Sequence, residues 1–174
     1  YPPQDGVKSL KEAIQRKFKR DNNLDYALDE IMVSNGSKQI MYDALMASVN
    51  HGDEVIIPAP GWISYADQAT VAGARPVSVS CPENNQFKLR AADLEAAITP
   101  RTKAILPVHF AGHPAELDVI WEIARRKGLE VVEDAAHALP AKFKGRFIGS
   151  GHNPVAFSFY ATKNLTTAEG GMLT

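Results

Sequence analysis

The sequence predicts an α/β domain built around a mainly parallel sheet. Segments with helical spacing of apolar residues alternate with short apolar segments along the chain, which is the pattern of repeated β-α units. One short segment, 129–132, is largely apolar, as in a strand whose sheet is covered on both faces. Because no repeat, low-complexity tract or long linker interrupts the 174 residues, we expect a single domain over residues 1–174.

Five segments have the spacing of amphipathic helices. In the first, apolar residues from Val7 to Phe18 lie three or four positions apart. Gly73 follows the third segment and Gly128 follows the fifth, and glycine commonly ends a helix. The predicted helices are 7–19, 38–49, 64–72, 93–98 and 117–127.

Seven short apolar segments are predicted strands. Pro58 and Pro60 end the second, because proline cannot continue the hydrogen-bond ladder of a strand. The predicted strands are 31–33, 54–59, 76–80, 103–108, 129–132, 155–159 and 171–173. In an open α/β sheet a ligand binds outside the carboxyl ends of the strands, so the residues that follow these strands are the candidates for function.

The composition argues against several classes of function. The formal net charge is -1 and the 19 Lys and Arg residues are spread along the chain, so no basic nucleic-acid-binding surface is predicted. No apolar run approaches the roughly 18 residues that a membrane-spanning helix requires, and no secretory signal pattern is present. The one cysteine, Cys81, cannot form an internal disulfide, which favours a reducing, cytoplasmic location.

Two segments early in the predicted sheet could hold a phosphate and a planar ring. Gly36, Ser37 and Lys38 lie where the first strand turns into a helix, and exposed N–H groups with the positive end of the helix dipole favour an anion there. Trp62 follows the second strand on a Pro-Gly turn. Its side chain could stack on a ring, or it could pack in the core.

Ionisable side chains follow the fifth and sixth strands. Asp134 ends the fifth, where a carboxylate needs a cation or hydrogen-bond donors, and His137 stands three residues later. The alternative is that Asp134 caps a helix and His137 is a packed side chain. Ser158 and Lys163 come after the sixth strand. A neutral lysine there can form a Schiff base with a carbonyl, and the alternative is an ordinary surface lysine.

Taken together, these residues are the parts that catalysis by pyridoxal 5'-phosphate (PLP) requires. The cofactor needs a lysine for its Schiff base, an acid that keeps its pyridine nitrogen protonated and an anchor for its phosphate. We therefore predict a PLP site with Lys163 as the cofactor lysine and Asp134 as the acid.

From about residue 98 to residue 174 the chain resembles the DegT/DnrJ/EryC1/StrS family of sugar aminotransferases. The matching segments are 98–105 (ITPRTKAI), 107–112 (PVHFAG), 133–138 (EDAAHA) and 157–171 (FSFYATKNLTTAEGG). The resemblance implies that Lys163 is both the aldimine lysine and the general acid/base, and that Asp134 pairs with the pyridine nitrogen. It also places His137 beside the ring and its 3-oxygen, and Ser158 on the phosphate. The implied fold is the three-layer α/β/α large domain of PLP-dependent transferases, with a mostly parallel seven-stranded sheet.

From residue 1 to about residue 97 the chain resembles class I aminotransferases of the aspartate aminotransferase group. The matching segments are 31–39 (IMVSNGSKQ), 52–58 (GDEVIIP) and 60–65 (PGWISY). This resemblance implies that Gly36, Ser37 and Lys38 form the phosphate turn and that Trp62 is the ring-stacking aromatic residue. It also matches Tyr1 to a tyrosine that reaches across a homodimer to the partner's phosphate.

The two resemblances meet near residues 95–103, so the chain is either an unusual relative of both families or a recombined chimera. Both imply a transaminase that takes an amino group from an amino acid donor, with glutamate expected. The acceptor is a keto-sugar nucleotide if the later stretch governs, and a 2-oxo acid if the earlier stretch governs. We also expect the chain to be a fragment of a longer protein, without the C-terminal small domain of these families.

Two other functions share this kind of domain and stay open at the level of the sequence. One is a PLP-dependent lyase or sugar dehydratase, although Lys163 argues against the dehydratases that carry histidine in its place. The other is a PLP-binding regulatory or scaffold domain that does not catalyse a reaction.

Overall fold

The computed structural model describes residues 3–174. Within that range the chain forms five α-helices: α1 (Lys8–Asn22), α2 (Ser37–Ser48), α3 (Ser64–Val71), α4 (Ala91–Ala97) and α5 (Leu117–Lys127). It also forms ten short strands: β1 (Met32–Ser34), β2 (Glu54–Ala59), β3 (Arg75–Ser80), β4 (Thr102–Ile105), β5 (Glu130–Val131), β6 (Glu133–Asp134), β7 (Lys142–Phe143), β8 (Arg146–Phe147), β9 (Val155–Ser158) and β10 (Gly171–Leu173). Each predicted helix and strand is found, with small shifts at the ends.

The strands form two four-stranded sheets, in the orders β3-β2-β4-β5 and β1-β10-β9-β6, so the expectation of a single seven-stranded sheet is wrong in this detail. The reason lies at Val132, where the predicted fifth strand changes partners. Before it, β5 pairs with β4, and after it, β6 pairs with β9. Backbone hydrogen bonds still cross the break, because Val132 N–H donates to the Ile105 carbonyl. The two sheets therefore meet along one segment, 130–134.

Within the two four-stranded sheets the strand pairs are parallel, as predicted, except for those of β10. It runs antiparallel to both of its neighbours, β1 and β9. Its first residue, Gly171, therefore lies level with Ser34 on one side and Ser158 on the other, at the carboxyl ends of β1 and β9. This register brings together two strand ends that are far apart in the sequence.

Helices cover both faces of the sheet, which confirms the three-layer α/β/α class. Side chains of β2 alternate between the two layers, as the two-residue period of a strand requires. Val55 and Ile57 belong to the cluster with α2 and α3, whereas Ile56 belongs to the cluster with α4 and α5. A third cluster joins α1 to β9 and β10, with Phe18 packed on Phe157.

A buried carboxylate ties together the amino ends of β2, β3 and β4. Glu54 is 0% exposed and accepts hydrogen bonds from Arg75, Thr99 and Arg101. These donors, with Arg75 the strongest, lower the pKa of Glu54 to about 2. The group lies at the opposite end of the strands from the predicted site, so we assign it to stability.

A short hairpin of β7 and β8 was not predicted. Its two turn residues, Lys144 and Gly145, have φ values of 47° and 81°, and positive φ at both positions is typical of tight hairpin turns. No helix within residues 3–174 is long and apolar enough to cross a membrane.

Candidate active site

The predicted phosphate turn lies between the end of β1 and the first turn of α2. Gly36 precedes the helix with a φ of 153°, and its carbonyl accepts hydrogen bonds from Gln39 N–H and Ser34 Oγ. The first turn of α2 therefore points its N–H groups and the positive end of its dipole toward the carboxyl edge of the sheet. An anion such as a phosphate is favoured at this position.

Gly171 closes this turn from the side of β10. A Cβ atom added to Gly171 would lie 2.6 Å from both the Gly36 carbonyl oxygen and the Ser37 nitrogen. Only glycine permits so close an approach between the two backbones. Ser158 is buried and level with Gly171 in the neighbouring strand, so the structure brings Ser158 to the same corner as Gly36 and Ser37.

Trp62 lies beside the phosphate turn. Its indole is 58% exposed, and the Nε1–H donates to Ser64 Oγ at 2.8 Å. Lys38 Nζ lies 5.4 Å from the centre of the indole ring. The structure therefore does not bury Trp62 in the core, and a face of the indole is available to a planar ligand.

Asp134 ends β6 and is buried, with one hydrogen bond to each carboxylate oxygen. Tyr65 Oη donates to Oδ2 at 2.6 Å, and Ala136 N–H donates to Oδ1 at 2.8 Å. No α-helix begins in the described residues 135–141, so the alternative of a helix cap is wrong. The Ala136 contact is the local turn that aspartate often makes with the backbone two residues later.

Tyr65 was not among the predicted site residues. It lies on the first turn of α3, three residues after Trp62, and is 5% exposed. Burial raises the pKa of Tyr65 far above its ordinary value, and the Asp134 carboxylate raises it further. Tyr65 ends the segment 60–65 (PGWISY) that resembles class I aminotransferases, and this resemblance was the signal in the sequence that could have found it.

His137 and Lys163 lie near each other at the same edge. Burial lowers the pKa of His137, the Lys163 cation lowers it further, and Asp134 acts in the opposite direction. The imidazole is therefore favoured in its neutral form near pH 7. Its ring also pairs with Phe110, with 5.6 Å between ring centres. Lys163 is partly exposed on the loop between β9 and β10.

A buried polar cluster surrounds Glu133, the residue that precedes Asp134 in β6. Glu133 accepts hydrogen bonds from Trp121 Nε1 at 2.9 Å and Asn153 Nδ2 at 2.9 Å, and its other oxygen lies 3.1 Å from His109 Nε2. Since His109 Nδ1 accepts from Ala115 N–H, the ring proton must be on Nε2, which donates to Glu133. The cluster fixes the backbone of β6, because His109 N–H also donates to the Asp134 carbonyl.

The structure thus brings eight predicted residues to the carboxyl edge of the two sheets: Gly36, Ser37, Lys38, Trp62, Asp134, His137, Ser158 and Lys163. The ninth, Tyr1, lies outside the described residues. Exposed apolar side chains also lie on the segments that follow β2, β4 and β9, namely Trp62, Ile63, Phe110, Tyr160 and Leu165.

Comparison with known proteins supports the resemblance drawn from the sequence. The model of the DegT/DnrJ/EryC1/StrS aminotransferase family matches residues 13–174, so the match extends well into the stretch that resembles class I enzymes. The chain is 37% identical to DesV of S. venezuelae, solved in complex with a ketimine intermediate, with a TM-score of 0.83. That match covers 100% of this chain and 44% of the DesV chain.

Aspartate aminotransferases are also similar over nearly the whole chain. The enzyme from Rhizobium meliloti is 34% identical with a TM-score of 0.81, and the match covers 99% of this chain and 47% of that one. A double mutant of the Thermus thermophilus enzyme is 26% identical with a TM-score of 0.83, and the coverages are 99% and 48%. The chain thus spans about half the length of these solved structures.

Proposed function

The chain belongs to the DegT/DnrJ/EryC1/StrS aminotransferase family, a family of PLP-dependent enzymes, and on that premise we propose that it carries the cofactor site of a transaminase. The observation that supports this most is the convergence of two groups of residues at one edge of the fold. One group can hold a phosphate, and the other consists of Asp134, His137 and Lys163.

The residues present fit PLP. Gly36, Ser37 and Ser158 lie at one corner, where Gly171 lets the backbone of β10 pack closely against the turn. The first turn of α2 favours an anion such as a phosphate there. Lys38 adds a positive charge beside Trp62, whose indole is free to stack on the pyridine ring. Asp134 has spare acceptor capacity, since each of its oxygens accepts one hydrogen bond and can accept another.

Each ionisable residue then has a distinct task. When bound, PLP withdraws electrons from the substrate carbon that loses its proton. Asp134 would hold the proton on the pyridine nitrogen, and the neutral His137 would contact the ring on the side of its 3-oxygen. Lys163 Nζ would be the point of covalent attachment and would move the proton during transamination.

We propose glutamate as the amino donor and a keto-sugar nucleotide as the acceptor. The family match over residues 13–174 supports this choice. A 2-oxo acid is the second candidate acceptor, and the 34% identity to the Rhizobium meliloti aspartate aminotransferase favours it. To distinguish the two acceptors, each is added to the aminated enzyme, and the return of the absorption band of the lysine-bound cofactor is followed.

The test of the transaminase proposal is spectroscopic. The full-length protein with PLP should show an absorption band of lysine-bound cofactor, and borohydride should then fix the pyridoxyl group on Lys163. Glutamate should shift that band, as expected for amination of the cofactor, and aspartate serves as a comparison donor. A pyridoxyl group mapped to another lysine would contradict the assignment, and a band that no donor shifts would favour the non-catalytic alternative.

We also propose that the full-length protein works in the cytoplasm as a homodimer. Two-fold pairing is the commonest oligomer geometry. The exposed apolar side chains around the site, such as Ile63 and Phe110, suit a surface that a second copy covers. Sedimentation of the full-length protein should give a dimer, and a fully active monomer would refute this.

A further inference from the structure

Tyr65 places its hydroxyl on Asp134 from a different element of the fold. The Oη···Oδ2 distance is 2.6 Å, and both side chains are buried. Because the pKa of Tyr65 is raised by burial and by the Asp134 carboxylate, the phenol keeps its proton. A phenol that keeps its proton beside a carboxylate is a permanent donor to it.

The two donors to Asp134 fix its carboxylate in one orientation. Tyr65 holds Oδ2 from α3, and Ala136 N–H holds Oδ1 from the segment that follows β6. Rotation of the carboxylate would break both hydrogen bonds. A ligand that pairs with Asp134 therefore meets an acceptor whose direction is already set.

Tyr65 is itself held by the turn that carries Trp62. A Cβ atom added to Gly61 would lie 2.7 Å from the Pro58 carbonyl and 3.7 Å from the Tyr65 ring, so the turn packs closely over that ring. One short segment, 60–65, thus presents Trp62 at the surface and Tyr65 to Asp134. A shift of this segment would move both side chains together.

We propose that Tyr65 is a positioning residue of the cofactor site, which orients the Asp134 carboxylate toward the pyridine nitrogen of PLP. This inference rests on the proposed function, since it takes Asp134 as the partner of that nitrogen. The competing explanation is that Tyr65 contributes only to the packing of α3.

The experiment removes one hydroxyl from the full-length protein. Tyr65→Phe keeps the ring and loses the hydrogen bond to Asp134. We expect its affinity for PLP to fall by about two- to tenfold, because the Asp134 carboxylate is no longer held before the cofactor binds and must be ordered during binding. The absorption maximum of the bound cofactor should also move in the same direction as in Asp134→Asn.

The matched control is Tyr26→Phe. Tyr26 Oη donates to the Gly149 carbonyl at 2.7 Å, so this variant also loses one tyrosine hydrogen bond, but to a neutral group away from the site. Both variants should unfold at slightly lower temperature without cofactor. PLP affinity and the absorption maximum should change only in Tyr65→Phe. Equal PLP affinity in the two variants would overturn the proposal.

A double mutant separates the failure of this inference from the failure of the proposed function. If Tyr65 acts through Asp134, the double variant Tyr65→Phe, Asp134→Asn should bind PLP no more weakly than Asp134→Asn alone. If the losses of PLP affinity in the two single variants add up in the double variant, Tyr65 acts independently of Asp134 and the positioning role is refuted. If Asp134→Asn alone changes neither the spectrum nor the half-reaction, the proposed function of Asp134 fails instead.

Discussion

The carboxylate of Asp134 accepts hydrogen bonds from the Tyr65 hydroxyl and the Ala136 N–H. Its charge can be removed by a substitution that keeps the shape of the side chain. In Asp134→Asn the side chain keeps its size and loses its charge. We expect the half-reaction of the full-length protein to slow on the order of a thousandfold, or about 4 kcal/mol, because the pyridine nitrogen loses its proton. Stopped-flow absorbance with glutamate measures this rate.

The control for the charge change is Asp67→Asn, an exposed aspartate on α3. It should leave the half-reaction rate unchanged. If the rate of Asp134→Asn is also near that of the wild type, Asp134 is not the partner of the ring nitrogen.

Gly171 makes a second prediction at the scale of one residue. In Gly171→Ala the added methyl group meets the Gly36 carbonyl and the Ser37 nitrogen, so the phosphate turn must move away from β10. We expect the free energy of unfolding to fall by about 1–3 kcal/mol, as for other overpacked positions, and PLP to bind more weakly. Urea denaturation and titration with PLP measure the two effects.

Gly151→Ala is the matched control, since its added methyl group would lie 3.7 Å from Trp121, an ordinary contact distance. Gly151→Ala should change neither the free energy of unfolding nor the affinity for PLP appreciably. Unchanged PLP affinity in Gly171→Ala would mean that the turn tolerates the shift and does not hold the phosphate in the proposed way.

At the scale of elements, β6 depends on the polar cluster around Glu133. In Glu133→Gln one oxygen becomes an NH₂ group, which faces a donor in either orientation: His109 on one side, or Trp121 and Asn153 on the other. A change of the His109 tautomer would only transfer the conflict to Ala115 N–H. We expect a loss of about 1–3 kcal/mol in the free energy of unfolding, measured by urea denaturation.

Glu130→Gln makes the same chemical change in β5, on a residue that is exposed. Its free energy of unfolding should stay close to that of the wild type. An equally small change in the free energy of unfolding of Glu133→Gln would show that the polar groups of the cluster find other hydrogen-bond partners, by rearrangement or through water.

The amino ends of β2, β3 and β4 depend on ionised Glu54, which predicts a dependence of stability on pH. The pKa of Glu54 is lowered to about 2 in the folded protein, against about 4.3 for an unfolded glutamate. Its contribution to stability is therefore complete above pH ~4.3 and is lost as the pH falls toward ~2. Denaturation at several pH values in this range should show wild type losing stability faster than Glu54→Gln. Parallel curves for the two proteins would contradict this.

At the scale of the whole molecule, the sequence was sufficient for features that depend on local pattern. The five helices follow from apolar spacing, and the end of β2 follows from Pro60. The prediction that Pro58 also ends β2 is wrong, because Pro58 lies within the strand, level with Val79. The clustering of the site residues follows from the rule that ligands bind at the carboxyl ends of strands. These features need no knowledge of which strand lies beside which.

The features that were missed depend on neighbours. The break at Val132 exists because β5 pairs with β4 while β6 pairs with β9, and nothing in the segment itself encodes that exchange. The role of Tyr65 was missed for the same reason. Its contact with Asp134 joins residues 69 positions apart, and the local pattern of α3 does not show such a contact. The hairpin of β7 and β8 could have been predicted from the sequence, because Gly145 stands between two short phenylalanine-containing segments.

The antiparallel strand β10 has a consequence for the order in which the molecule can form. It is the partner of β1 in the sheet, and it carries the glycine that closes the phosphate turn. On a ribosome, β1 is made early and must wait for β10, on the order of ten seconds at ordinary synthesis rates. During that time the apolar side chains of α2 lack the part of their cover that β9 and β10 provide, and a chaperone can bind them. Because the phosphate turn is closed only once β10 has paired with β1, the capture of PLP at that turn follows this pairing and does not precede it.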